Sequence, residues 1–157
     1  MESVIKVASY VSERYEKDYK VRIDEMKLHK ILYFIQRESL IQTGAPMFRE
    51  QFYAWKYGPV LKEIRWAYRL DMLDQKPSDS FILENKPIFD KVFLQYAQKS
   101  SWSLSRLSHG EYSWQNARKG IGPIETCENA ILLSDINEDA KRIKLRRFFV
   151  EQMSTID

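Results

Sequence analysis

The sequence is poor in the residues that build disulfides and metal centres. Its single cysteine, Cys127, excludes an intramolecular disulfide and a multi-cysteine zinc site, and it fits a reducing compartment. Two histidines, His29 and His109, are too few for a histidine cluster, so a metal site would have to gather distant carboxylates or Cys127 around them. The reading is therefore no metal and no cofactor, with Cys127 as a small buried hydrophobe. Only five Gly and five Pro occur among 157 residues, which excludes a low-complexity or disordered chain. Long apolar runs are missing as well: "ILYFI" falls far short of the roughly 20 residues a membrane-spanning helix needs, and charges interrupt the first segment. No membrane partner and a cytoplasmic location are the expectations. Neither sign of charge dominates, with 25 Lys and Arg against 22 Asp and Glu, and a net charge of +3 does not announce a nucleic-acid binder.

What is present is the material of a core. Hydrophobic residues make up 44% of the chain and aromatics 13%, and the length suits one domain spanning residues 1–157. Val4, Val7, Ala8, Val11 and Tyr15 recur at helical spacing and predict an amphipathic first helix. Asp24 is placed to cap a second, whose wide apolar arc of Leu28, Ile31, Leu32 and Ile35 predicts a central helix ended by "TGAP". The period then changes: Phe52 and Ala54 alternate with Tyr53 and Trp55, which predicts a strand near 51–55. Pro59 suits the first turn of a following helix. "FILE", Phe81 to Glu84, reads as a second strand able to pair with the first. Further helices are expected from Pro87, from Ser100 or Ser101, and from about 135 to 153, the last opened by a capping box of Asp135 and Glu138. The fold class is α+β and predominantly helical: about six helices around one core with a small antiparallel β-ribbon.

The segment "RLSHGEYSWQNARKG", residues 106–120, has the composition of a catalytic site. His109 can serve as base, Glu111 as its partner or as acid, and Ser108 or Ser113 as nucleophile. Its spacing offers a structural account instead. Ser108 and Glu111 stand in the S-x-x-E relation of a reciprocal cap, opening a helix from His109 to about Arg118 with Trp114 in the core. With no nucleophile elbow, metal set or phosphate loop, the chain reads as a non-enzyme. "AWKYGPV", Ala54 to Val60, combines Trp55, a Gly58-Pro59 step and the outward candidates Lys56 and Tyr57, a set suited to an interface. "KRIKLRR", Lys141 to Arg147, is the densest basic run. Lys141, Arg142 and Arg146 are the residues it would offer to nucleic-acid phosphates, but acidic residues early and basic ones late in a helix also complement its dipole, with Glu138 and Arg142 as an i, i+4 pair. No aromatic stacking set accompanies the charge, so the reading favours a solvated helix face over a nucleic-acid contact.

Taken together, "KLHKILYFIQ" from residue 27, "AWKYGPV" from 54 and "LSHGEYSWQNAR" from 107 make the chain resemble the Panacea antitoxin domain family, also called SocA-like. The family pattern has a K-L-x-K-L-L-Y-F helix, an A-W-x-x-G-P-V step and a later L-S-x-x-(S/T)-H-x-E-x-x-W-x-x-A segment. The match covers about residues 5–125 in order, with His29 where Gln is usual and Ile31 in place of a Leu; nothing after 130 matches. The resemblance implies a bacterial or phage, including prophage, toxin-antitoxin context and a separate cognate toxin, encoded nearby and neutralised by direct binding. Relatives pair with quite different toxins, and some act as adaptors handing a toxin to a AAA+ protease. No catalytic residue is implied. Left over as candidate partner contacts are Lys56, Tyr57, His109 and Arg118, with Trp55, Gly58, Pro59, Ser108, Glu111 and Trp114 as structural positions. A DNA-binding autoregulator using 141–147, and an enzyme centred on His109 and Glu111, are the competing readings.

Overall fold

The fold is built around one helix that is buried on every side. In the computed structural model, which describes residues 1–155, α1 (Val4–Tyr19) opens on Ser3, whose hydroxyl accepts from the Lys6 N–H, and ends on Lys20 in the left-handed region. α2 (Glu25–Thr43) opens on Asp24, whose carboxylate accepts from the Lys27 N–H at 2.8 Å, and stops at Gly44 with φ 75°. Every residue of α2 from Lys27 to Ile41 is buried. An all-round burial of that length must enclose polar side chains, and each of these needs a partner because an unpaired buried polar group costs about 1–3 kcal/mol.

The partners are the rest of the fold. Lys27 donates to the Tyr15 hydroxyl and the Ala97 carbonyl; Gln36 donates to the Phe48 carbonyl and accepts from the Met47 N–H; Ser39 donates to the Ala45 carbonyl. Apolar residues fill the space between these ties, with Leu28, Leu32, Tyr33, Phe34 and Ile35 meeting Val4, Phe48, Phe52, Phe89 and Leu104 in one core.

After α2 the chain forms an antiparallel ribbon of β1 (Phe52–Trp55) and β2 (Gly58–Leu61), joined by the two-residue turn Lys56-Tyr57, with Trp55 opposite Gly58 and Phe52 opposite Leu61. The ribbon is followed by α3 (Lys62–Arg69), α4 (Asp79–Glu84) and α5 (Lys86–Val92), the last running into a π-helical turn at Phe93–Ala97. Next come α6 (Ser101–His109), α7 (Tyr112–Ala117) and α8 (Leu133–Ser154). The buried residues of α8, Ile136, Asp139 and Ala140, all lie in its first half; beyond them it runs out along the surface, tied back through Arg147 to Glu38.

The predominantly helical α+β class with a small ribbon stands, with eight α-helices among the described residues in place of about six. Four local expectations are corrected. Phe81–Glu84 lies in α4, capped by the Ser78 hydroxyl, and the strand that pairs with β1 is Gly58–Leu61. Pro59 therefore sits in a strand, and the helix starts three residues later. It fits because its place opposite Ala54 alternates with the hydrogen-bonded pairs, so the ladder loses no N–H. Ser108 and Glu111 form no capping box: α6 continues to His109, so Ser108 lies inside it and donates to the Ser105 carbonyl, while Glu111 only precedes α7. Asp135 does not open α8 either; it lies in the first turn and accepts from the Asn116 amide.

Candidate functional site

A two-stranded ribbon exposes two edges of unpaired backbone groups, and here both are closed from within the chain. Along β1, the Ala54 N–H donates to the Asn129 carbonyl and the Phe52 carbonyl accepts from the Ile131 N–H, at 2.9 and 2.8 Å. Along β2, side chains of α2 do the work. Lys30 Nζ donates to the Pro59 carbonyl at 3.2 Å, and His29 Nδ1 accepts from the Leu61 N–H at 3.2 Å. That bond leaves the His29 proton on Nε2, which faces Glu25 Oε2 at 3.2 Å. Burial holds the ring below its usual pKa, so His29 is neutral, and its hydrogen bond helps to hold Glu25 down at about 2, with Arg69 adding to the effect.

The "LSHGEYSWQNAR" segment closes the same ribbon from the other side. Trp114 Nε1 donates to the Trp55 carbonyl at 2.8 Å, and Ser105, two residues earlier than the motif, donates to the Tyr57 carbonyl at 2.6 Å. Arg118, expected to face a partner, is 4% exposed: it donates to the carbonyls of Ala54, Gly122 and Glu125. Those three bonds explain why the structure withdraws it from the surface. The three sequence motifs thus meet at one place, the tip and edges of the ribbon.

The would-be catalytic trio is split between two environments. His109 stacks on Trp114 with ring centroids 4.2 Å apart, its Nε2 is buried without a hydrogen-bond partner among the described residues, and burial lowers its pKa. Glu111 turns the other way to Arg37, which also donates to the Tyr96 hydroxyl at 2.7 Å. Asp139 of α8 takes the role expected of Ser108, accepting from the N–H groups of Tyr112 and Ser113 at 2.8 and 2.9 Å and from the Tyr33 hydroxyl at 3.2 Å. Burial, together with the neighbouring Asp139 carboxylate, pushes Glu111 up to about 7 against the pull of Arg37. Ser113 is engaged with Tyr33 at 2.7 Å, and among the described residues no hydrogen bond joins His109 to Glu111, Ser108 or Ser113.

A cavity of about 360 Å³ lies against the ribbon edge, lined by His29 and Lys30, by Trp55, Tyr57 and Val60, and by Cys127. Burial alone lowers Lys30, only 1% exposed, to about 7. Lys56 lies at the cavity with its ammonium 5.1 Å from the Tyr57 ring, and Tyr57 meets the exposed Trp102 edge-on at 5.4 Å. Cys127 is buried, as expected.

The basic run on α8 is only partly free. Lys141 pairs with Glu138, Arg142 lies over the Tyr112 ring at 4.9 Å and not on Glu138, and Arg147 reaches back to buried Glu38 with two bonds of 2.9 Å. Arg146 and Lys144 are exposed. Beside them Leu145, Phe148, Phe149, Val150 and Met153 are each more than half exposed. Sequence reading missed this apolar end because only its placement past the core reveals it.

No helix among the described residues is long and apolar enough to cross a membrane. No curated protein and no solved structure matches the chain. A family model, that of the SocA-like antitoxin, Panacea domain, matches residues 28–115, which run from the α2 segment holding His29 and Lys30 to the α7 segment holding Trp114. The chain therefore belongs to the SocA-like antitoxin family with the Panacea domain.

Proposed function

We propose that the protein is an antitoxin that neutralises a separate toxin by direct contact, without catalysis, through the outer half of α8. The observation that carries this reading is the set of exposed apolar residues Leu145, Phe148, Phe149, Val150 and Met153, presented by a helix whose base is locked to the core. A helix face of that kind suits a groove on a partner protein, with Phe148 and Phe149 as anchors. Lys144 and Arg146 beside them call for an acidic rim on the toxin. This end of α8 lies outside the stretch that matches the family, where recognition particular to one toxin belongs.

Coexpression with the toxin encoded next to it tests the proposal. The intact chain restores growth, and a Phe148→Ala, Phe149→Ala double variant that melts like the parent does not. Undiminished rescue by that variant overturns the α8 assignment. Loss of rescue on replacing Tyr57 and Trp102 instead moves the contact to the ribbon tip, the second reading, which their exposed edge-on pair supports. Delivery of the toxin to a AAA+ protease is the alternative route; it predicts a fall in toxin level where simple neutralisation leaves the level unchanged. Autoregulation through DNA has weaker support, since Lys141, Arg142 and Arg147 are engaged within the chain.

A further inference from the structure

At its buried end the cavity beside β2 has a polar lining with one sign of demand. The acceptors that α2 brings to it are taken: Glu25 Oε2 faces both His29 and Arg65, Glu25 Oε1 accepts from Arg69, and His29 Nδ1 accepts from the Leu61 N–H. Glu128, at the exposed side of the cavity, pairs with Lys62, and Cys127 Sγ accepts from the Asn129 N–H. Its donors are not taken. Lys30 carries up to three N–H groups and has one partner, the Pro59 carbonyl, while Trp55 Nε1 is buried with none among the described residues. The spare groups at the buried end of the cavity donate, which calls for a ligand that accepts there, while the exposed Tyr57 and Thr126 hydroxyls at its mouth can do either.

The rest of the lining specifies the ligand's other end. Met26, Trp55, Tyr57 and Val60 present mainly apolar and aromatic surface, and a volume of about 360 Å³ lies within the range of small-molecule sites. We propose that this cavity binds a small organic carboxylate with an apolar body, the carboxylate on Lys30 and the body against Trp55, Tyr57 and Val60. Burial disfavours the Lys30 ammonium, which an arriving anion restores. This goes beyond the antitoxin reading, because the cavity and the outer half of α8 share no residue.

The test uses the intact chain and two probes of the same shape, 4-phenylbutyrate and 4-phenylbutyramide, titrated by calorimetry at pH 6.5. The acid binds saturably at one site and on the order of tenfold or more tighter than the amide, the difference expected when one charge-assisted bond is lost. Lys30→Met abolishes the preference for the acid while the variant still melts cooperatively. Equal binding of the two probes, no saturable binding of the acid at millimolar concentration, or an unchanged preference in Lys30→Met overturns the proposal. If Lys30→Met does not fold, the comparison of acid with amide on the unaltered chain decides alone. No toxin enters the measurement, so its failure leaves the antitoxin reading standing.

Discussion

Lys30 lies directly under Gly58: a Cβ on Gly58 would fall 2.6 Å from Lys30 Cε, and it would also strike the Ser108 hydroxyl. Gly58 has φ 112°, a conformation that side chains rarely adopt, and it stands at the start of the strand whose next carbonyl holds Lys30. Backbone freedom and close approach are thus required at the same residue. The three elements that carry the sequence motifs touch here, α2 through Lys30, the ribbon through Gly58 and α6 through Ser108.

Gly58→Ala should therefore cost about 2–5 kcal/mol, combining strain at positive φ with overpacking against Lys30 and Ser108. Urea unfolding measures it; a loss within about 0.5 kcal/mol, the ordinary range for surface substitutions, would show that the turn relaxes freely.

The burial of Lys30 also sets a pH dependence. Its folded pKa is lowered from 10.5 to about 7, so the penalty on the ammonium is fully present below pH 7. Between these two values the unfolded chain holds a proton that the folded chain has released, and stability from this group rises with pH across that window. The rise should be on the order of a few kcal/mol, and Lys30→Met should remove it; urea midpoints at pH 7 and 9.5 for the two proteins make the comparison. An identical pH profile in both would contradict it.

Asp139, and not Ser108, holds the start of α7. Asp139→Ala strips the acceptor from the Tyr112 and Ser113 N–H groups and from Tyr33, and should cost about 2–4 kcal/mol. Ser108→Ala removes only a hydroxyl bonded within its own helix, at about 1 kcal/mol or less. Thermal melts rank the two; the reverse order would restore the capping-box reading.

The neighbours Arg146 and Arg147 should behave differently. Arg147 makes a two-bond pair with Glu38, which is 2% exposed at its side chain, so Arg147→Ala leaves a buried carboxylate with only Gln42 and should cost about 1–3 kcal/mol, less than for a fully buried pair because Arg147 itself is partly in water. Arg146→Ala should stay within about 0.5 kcal/mol. Denaturant titration of each variant separates them.

What the sequence discloses here depends on how local the cause is. α1, α2 and β1 follow from periodicity and from caps a few residues away, and the Ser3, Asp24 and Gly44 ends obey those short-range rules. The second strand escapes notice because Gly58-Pro59 is an equally good helix start; what makes it a strand is Lys30 and His29, some thirty residues earlier, taking up its outward carbonyl and N–H. Ser108 and Glu111 have the spacing of a cap, but whether a helix ends between them is decided by Asp139 arriving from α8. Arg118 shows the same limit: in a row of polar residues it reads as exposed, and only the path of residues 122–125 around it makes it an internal tie. The one legible sign of the cavity is a lysine within an apolar arc, Lys30 in "KLHKILYFI".

The most direct test of the account is co-elution of the purified chain with the toxin encoded beside it, on a sizing column, for the parent and for the Phe148→Ala, Phe149→Ala variant. The parent should elute with the toxin as one complex and the folded variant should elute apart from it. A complex that survives in the variant, or a parent that never binds the toxin, would contradict direct neutralisation through α8.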